Sequence, residues 1–188
     1  MRIRAARRQD VDELGRIELE TARMFAPGVL PPHLVKPVPA PRLHAAADAS
    51  LLWVAECGSS RPVGFVLGER HGMSLHIGEL DVRPDFGRRG IGTSLVEHVC
   101  EVAARLGLRF VTLTTLCDVP WNAPFYRKLG FVAVEDLRPF RHLQRALVHE
   151  RRVGLQRSVA MFRKPHRPVP FPPAQGRIVP FVAPHTPP

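Results

Sequence analysis

Apolar and polar positions alternate along several short stretches of the N-terminal half of the chain, and recur at helical spacing in the segments between them. Residues 1–6 read as a first strand, and 10–24 as a helix with Asp10 placed as its N-cap. Residues 51–56 and 63–68 form a strand pair across the turn residues Gly58, Ser59 and Ser60, and 74–82 is a fourth strand. From Ile91 the period lengthens. Ile91, Leu95, Val99, Val102 and Leu106 share one helical face, and Gly107 stands where that helix should stop. A fifth strand at 110–114 precedes a short helix bracketed by Asn122 as N-cap and Gly130 as the C′ residue. After a strand at 131–134, Leu143, Leu147 and Val148 predict an amphipathic helix within 137–155, followed by a last strand at 159–162. Strands and helices are interleaved throughout, so the class is mixed α/β.

Chemistry concentrates between Glu79 and His98. The fourth strand ends at Val82, turns at Arg83-Pro84-Asp85, and opens through Gly87-Arg88-Arg89-Gly90-Ile91-Gly92 into the helix. A strand, a glycine bend and a helix N-terminus present free backbone N–H groups to an anion, and the two arginines add positive charge beside them. A phosphate-bearing ligand follows. Two nucleotide motifs fail here: Thr93 stands where a P-loop needs lysine, and Leu95 occupies the third glycine position of the dinucleotide fingerprint.

Arg89-Gly90-Ile91-Gly92 resembles the central part of the acyl-CoA-binding motif of the GNAT-type N-acetyltransferase superfamily, Gln/Arg-x-x-Gly-x-Gly/Ala after the fourth strand. Gly87 stands where that pattern has Gln or Arg, and Arg88 is placed to take over that side chain's role. Downstream, Trp121-Asn122-Ala123-Pro124-Phe125-Tyr126-Arg127-Lys128-Leu129-Gly130-Phe131 is similar to the family's tyrosine-bearing short helix, in the expected order. The resemblance covers about residues 3–163. It implies a central, mostly antiparallel sheet that splays apart between the fourth and fifth strands, with acetyl-CoA entering the split. It also implies the pyrophosphate over the amides of Arg88, Arg89, Gly90, Ile91, Gly92 and Thr93, and the thioester carbonyl polarised by N–H groups along Leu80, Asp81 and Val82. Thr112, Thr114 and Thr115 are expected on the opposite wall. The family's usual asparagine position, seven residues before the tyrosine, is Val119 here; Asn122, four before it, can reach the cleft from the same helical face.

Acetyl transfer to an amine requires a neutral nucleophile, yet an alkyl amine with pKa near 10.4 is protonated roughly a thousandfold over at neutral pH. A carboxylate can take that proton. Glu79 and Asp81 lie on one face of the fourth strand beside the implied split, and Glu79 is the first choice of base, with Asp81, His76 or no single base as alternatives. Tyr126, the one tyrosine of the chain, is turned by one helical step from the core-facing Phe125 and Leu129 and so can project into the cleft. In the family this position commonly protonates the leaving thiolate; anchoring the helix by its ring is the alternative. Cys117 has no activating neighbour in sequence and reads as a small core or rim residue.

Composition adds limits. With 188 residues the chain suits one domain, 1–163, and a proline-rich tail, 164–188, expected to be extended and disordered. No apolar run reaches membrane-spanning or signal-peptide length, and Cys57, Cys100 and Cys117 form no CxxC pair, so a cytoplasmic protein with reduced thiols is expected. No metal is expected; His149-Glu150 lacks a second histidine four residues on. The net charge of +10 comes almost wholly from scattered arginines without any nucleic-acid-binding signature, so specific nucleic-acid binding is not expected. The partners implied are acetyl-CoA and an amine acceptor, with homodimerisation open. A non-catalytic acyl-CoA-binding module is the chief alternative. The segment 137–155 and the proline-rich loop 25–41 fall outside the minimal family plan and are expected to shape the acceptor site.

Overall fold

A computed structural model describes residues 1–58 and 60–165; Ser59 of the expected turn, and the tail from residue 166, lie outside the described residues. Seven strands, β1 (Arg2–Ala5), β2 (Leu52–Glu56), β3 (Pro62–His71), β4 (Ser74–Val82), β5 (Phe110–Leu116), β6 (Val132–Ala133) and β7 (Ser158–Arg163), form one sheet in the order β1-β2-β3-β4-β5-β7-β6. Five helices cover it: α1 (Val11–Ala22), α2 (Ala40–Asp48), α3 (Ile91–Arg105), α4 (Ala123–Lys128) and α5 (Arg141–Arg152). Every pairing is antiparallel except β4 with β5. That parallel pair is bonded only over Ser74–Ile77 and Phe110–Leu113, although β4 runs on to Val82 and β5 to Leu116. The expected split is therefore present.

One face of the sheet is buried under α3, through Ile91, Leu95, Val96, Val99, Cys100 and Ala103. Leu106, expected on this face, is half exposed just past the helix, and Gly107 ends the helix at φ +67°. On the other face α1 and α2 pack over Leu52, Val54, Phe65 and Leu67, while α5 packs Leu143 and Leu147 against Ala160. Val148 points to solvent instead. A groove between these two groups of helices lies over the split.

Several local expectations need correction. The segment 25–41, read as loop, contains a 3-10 turn at Pro32–Leu34, and a helix begins at Ala40 that the proline-rich composition concealed. Asp10 makes no capping bond to α1. Its buried carboxylate instead accepts from the Arg7 N–H at 2.7 Å and pairs with Arg4 at 2.7 Å, an ion pair that Glu56 extends. Asn122 likewise makes no side-chain cap bond; its carbonyl accepts from the Phe125 N–H at 3.0 Å.

Candidate active site

The donor end is built from one continuous stretch. Past β4, a 3-10 turn at Pro84–Phe86 leads into a bend that passes twice through the left-handed region, at Arg88 (φ +57°) and Gly90 (φ +78°). Gly90 is the N-cap of α3 and has nothing within 4 Å of where a Cβ would sit, so backbone conformation rather than crowding accounts for the glycine. The first amides of α3 have no partner within the helix and face outward from the bend. Arg88, Gly90, Ile91, Gly92 and Thr93 line a cavity of about 650 Å³. Arg89 does not: its guanidinium lies over the Phe86 ring, 5.2 Å from the centroid.

Along β4 the alternation of faces slips. Leu75 and Ile77 face α3, but so do Leu80 and Val82. The pairing with β3 jumps from Gly68↔Ile77 to Leu67↔Glu79, leaving Gly78 as an extra residue. This bulge reverses the parity of every side chain beyond it. Glu79 and Asp81 are thereby turned from the α3 core toward α1. The same register directs the amides. Arg83 N–H bonds to Val63 O at 2.9 Å, and antiparallel alternation then gives the Glu79 and Asp81 N–H groups to β3. Those of Leu80 and Val82 point to the open edge, into the split.

Three carboxylates meet there. One oxygen each from Glu18, on α1, and from Glu79 and Asp81 lie within 4.8 Å of one another, the donor set that an ammonium or a hard metal ion would find. Burial raises all three pKa values, Glu18 to about 7 even though the Val38 N–H donates to both its oxygens at 3.0 and 3.1 Å. Glu79 is held well above the ordinary carboxylate range, by burial first and then by the charges of Asp81 and Glu18 beside it. Tyr126 lines the same cavity from α4, its ring packed edge-on to Phe125 and Phe131. Burial, with the charges of Glu79 and Asp81, holds its phenol protonated well above the usual range.

The wall beyond the split comes from β5 and α5. Thr114 lines the cavity and donates its hydroxyl to Glu150, which lines it too, with Thr115, Leu116, Leu155 and Ser158. Thr112 does not belong to this wall. It is fully buried, its hydroxyl 3.2 Å from His76 Nδ1 and 3.0 Å from His142 Nε2. His76, an alternative base, is tied into that cluster outside the cavity lining, and burial followed by the nearby His142 lowers its pKa to about 4. Phe25 and Trp121, 6.2 Å apart, with Met24 and Leu30, close the α1 side with apolar surface. Asn122 lines the cavity, whereas Val119 is buried and Cys117 exposed.

Of the residues expected from sequence, Glu79, Leu80, Asp81, Val82, Arg88, Gly90, Ile91, Gly92, Thr93, Thr114, Asn122 and Tyr126 are brought to one cavity, and Arg89 is not. Glu18 was not anticipated; Phe25 and Glu150 fall in the two segments expected to shape the acceptor site, though neither was singled out. All three lie on elements far apart in sequence, and only the fold brings them together.

Residues 48–133 match the family model described as acetyltransferase (GNAT) domain. An uncharacterized N-acetyltransferase of Methanocaldococcus jannaschii is 36% identical over 87 residues, covering 43% of this chain and 38% of that one. A peptidyl-lysine N-acetyltransferase of Salmonella typhimurium is 37% identical over 82 residues, covering 43% of this chain and 49% of that one. The chain thus spans less than half the length of either of these curated relatives. The PaiA N-acetyltransferase of Thermoplasma acidophilum, solved in complex with coenzyme A, shares the fold with a TM-score of 0.69 over 87% of this chain and 98% of that chain, at 15% identity. Local sequence and overall fold thus agree: residues 48–133 are similar to an acetyltransferase (GNAT) domain, and the chain shares the fold of an N-acetyltransferase.

Proposed function

We propose that this protein is an N-acetyltransferase that moves the acetyl group of acetyl-CoA to a primary amine by direct attack, without an acyl-enzyme. The observation that carries the reading is the cavity at the β4–β5 split, where a helix N-terminus, two unpaired strand amides, a carboxylate group and Tyr126 converge. The coenzyme A held by a relative of the same fold supports the donor. In this reading the amides of the Arg88–Gly90 bend and the first turn of α3 receive the pyrophosphate, the positive end of the helix dipole favouring it. The Leu80 and Val82 N–H groups receive the thioester oxygen and strengthen as charge develops on it.

The three carboxylates cannot all be ionised at such spacing without a cation, so Glu79 holds a proton in the free protein. An entering ammonium supplies the missing countercharge, Glu79 ionises by releasing its proton to solvent, and the carboxylate then takes one proton from the ammonium to free the nitrogen lone pair. The nitrogen attacks the carbonyl carbon, the C–N bond forms and the C–S bond breaks. Tyr126 donates its proton to the departing thiolate and is reprotonated when the second amine proton is lost, giving amide and free CoA thiol. A cytoplasmic setting accords with acetyl-CoA as donor and with three free cysteines. Among the described residues no helix is long and apolar enough to cross a membrane.

Thiol release from acetyl-CoA across a panel of amines, amino acids and peptides tests the reading, with calorimetric titration of acetyl-CoA alongside. Binding together with turnover of at least one amine is expected. Absence of acetyl-CoA binding would end it, and binding without turnover of any acceptor would leave the non-catalytic module.

A further inference from the structure

Resting on the acetyltransferase reading, we propose that Glu150 selects the acceptor: the amine carries, beyond an apolar spacer, a second cationic or hydrogen-bond-donating group that docks on the Glu150 carboxylate. Glu150 has no part in the acyl-transfer steps. It projects from α5, the helix that lies outside the minimal family plan, and lines the cavity on the wall opposite Glu79 and Asp81. One of its oxygens, Oε1, accepts from the Thr114 hydroxyl; the other, Oε2, is buried without a hydrogen-bond partner among the described residues. A carboxylate oxygen shut away from water and left unmatched costs free energy, and native proteins rarely leave one so. A turn of the carboxyl group toward the cavity that Glu150 lines would present this oxygen to a donor on the bound acceptor, which would complete it.

Two further observations set the acceptor's class. The surface between the two acidic walls is apolar, contributed by Met24, Phe25, Leu30, Trp121 and Leu155. This suits methylene or aromatic spacers and offers little to a polyhydroxylated body. Among the described residues the cavity is lined by one basic side chain, Arg88, which stands at the donor end. Arg42, whose charge acts on Glu18 and Glu79, is paired with Glu69 outside the cavity lining, so a substrate carboxylate would face Glu79, Asp81 and Glu150 without a cationic partner of its own among the described residues. Free amino acids and acidic amines are therefore disfavoured, and a diamine or an amino alcohol of matching length is favoured.

The test compares α,ω-diamines and amino alcohols of graded chain length with monoalkylamines and ω-amino acids of the same lengths, by thiol release from acetyl-CoA. For the best-fitting length, kcat/KM of the diamine or amino alcohol should exceed that of the matched alkylamine by about tenfold or more, with the ω-amino acid slowest. Glu150→Gln should bring that ratio to within about threefold of one. A ratio near one in the unmodified protein, or one that survives Glu150→Gln, overturns the proposal, and the acceptor series decides it even if the variant folds poorly. Should none of these amines react while acetyl-CoA still binds, the acceptor proposal falls and the donor reading stands. Loss of acetyl-CoA binding would remove both.

Discussion

The two ends of the cavity are constructed in opposite ways. The donor end is local. Strand end, bend and helix N-terminus follow one another along the chain, and the chemistry offered to the ligand is almost entirely backbone. The acceptor end is assembled from α1, β4, α4 and α5, and its chemistry is carried by side chains whose charge state depends on burial. A backbone site tolerates changes of side chain and binds whatever presents a phosphate. A side-chain site assembled across the fold can be retuned one residue at a time, as befits the part that, in the proposed reaction, decides what is acetylated. Substitutions at the two ends should therefore separate donor binding from turnover.

The largest separation is expected at Glu79. Glu79→Gln keeps the shape and removes the proton acceptor, so kcat/KM for an amine should fall by about a hundredfold or more while acetyl-CoA affinity holds. Restored turnover at high pH, where free amine needs no base, would sharpen the assignment; undiminished activity at neutral pH would shift the base elsewhere. Tyr126→Phe should come next, lowering kcat by about tenfold or more, again with donor affinity nearly intact. An unchanged kcat would reduce Tyr126 to its ring packing on Phe125 and Phe131.

The contrast between the ends also explains how much the sequence reveals. Gly90 and Tyr126 were legible because their signals are local: a left-handed N-cap demands glycine, and a helix bracketed by Asn122 and Gly130 fixes which way its residues turn. The bulge was legible in principle. Leu75 and Ile77 are followed by Leu80 and Val82, so the apolar alternation slips by one at Gly78, the signature of an extra residue in a strand. Missing that slip left the orientation of Glu79 and Asp81 toward α1 unread. Glu18 and Glu150 carry no such mark. Each is a charged residue on an amphipathic helix, indistinguishable in sequence from its solvated neighbours until the sheet and the helices above it meet. Arg89 shows that a motif position fixes the backbone more than the side chain, since its guanidinium stacks on Phe86.

Arg88 allows a change of opposite sign in stability and function. A non-glycine residue at φ +57° holds a conformation that disfavours a Cβ. Arg88→Gly should therefore raise stability to denaturant, by up to about 1 kcal/mol, because relief of the strain outweighs the extra freedom of the unfolded chain. Acetyl-CoA affinity should nonetheless drop by several-fold as the charge beside the phosphates is lost. If affinity is unchanged, backbone amides alone account for donor binding and the contrast between the two ends becomes sharper still.

The smallest expected effect is one of pH on stability, and it sets the acceptor end against the histidine cluster behind it. Glu18 titrates at about 7 in the folded chain, chiefly because it is buried and because Asp81 is near. A carboxyl raised in this way contributes its full stability below the unfolded value of about 4.3 and loses it as pH rises through 7. Glu79 and Asp81, also raised, act in the same direction. His76 and His142 are lowered to about 4, mainly by burial, with each other, His71, Glu69 and Arg42 close by. A depressed histidine works the other way: its contribution is complete above the unfolded value of about 6.5 and is lost as pH falls toward 4. Between these limits the two trends oppose, and the unmodified protein should show a flattened dependence of Tm on pH. Glu18→Gln keeps an acceptor for the Val38 N–H but removes one titration and relieves the repulsion on Glu79 and Asp81. In that variant Tm should rise more steeply from pH 5 to 7, gaining about 2–4 °C at neutral pH for each kcal/mol of repulsion relieved. An identical slope in both proteins would mean that Glu18 is ionised throughout, and the carboxylates would then need another explanation for how they share so small a space.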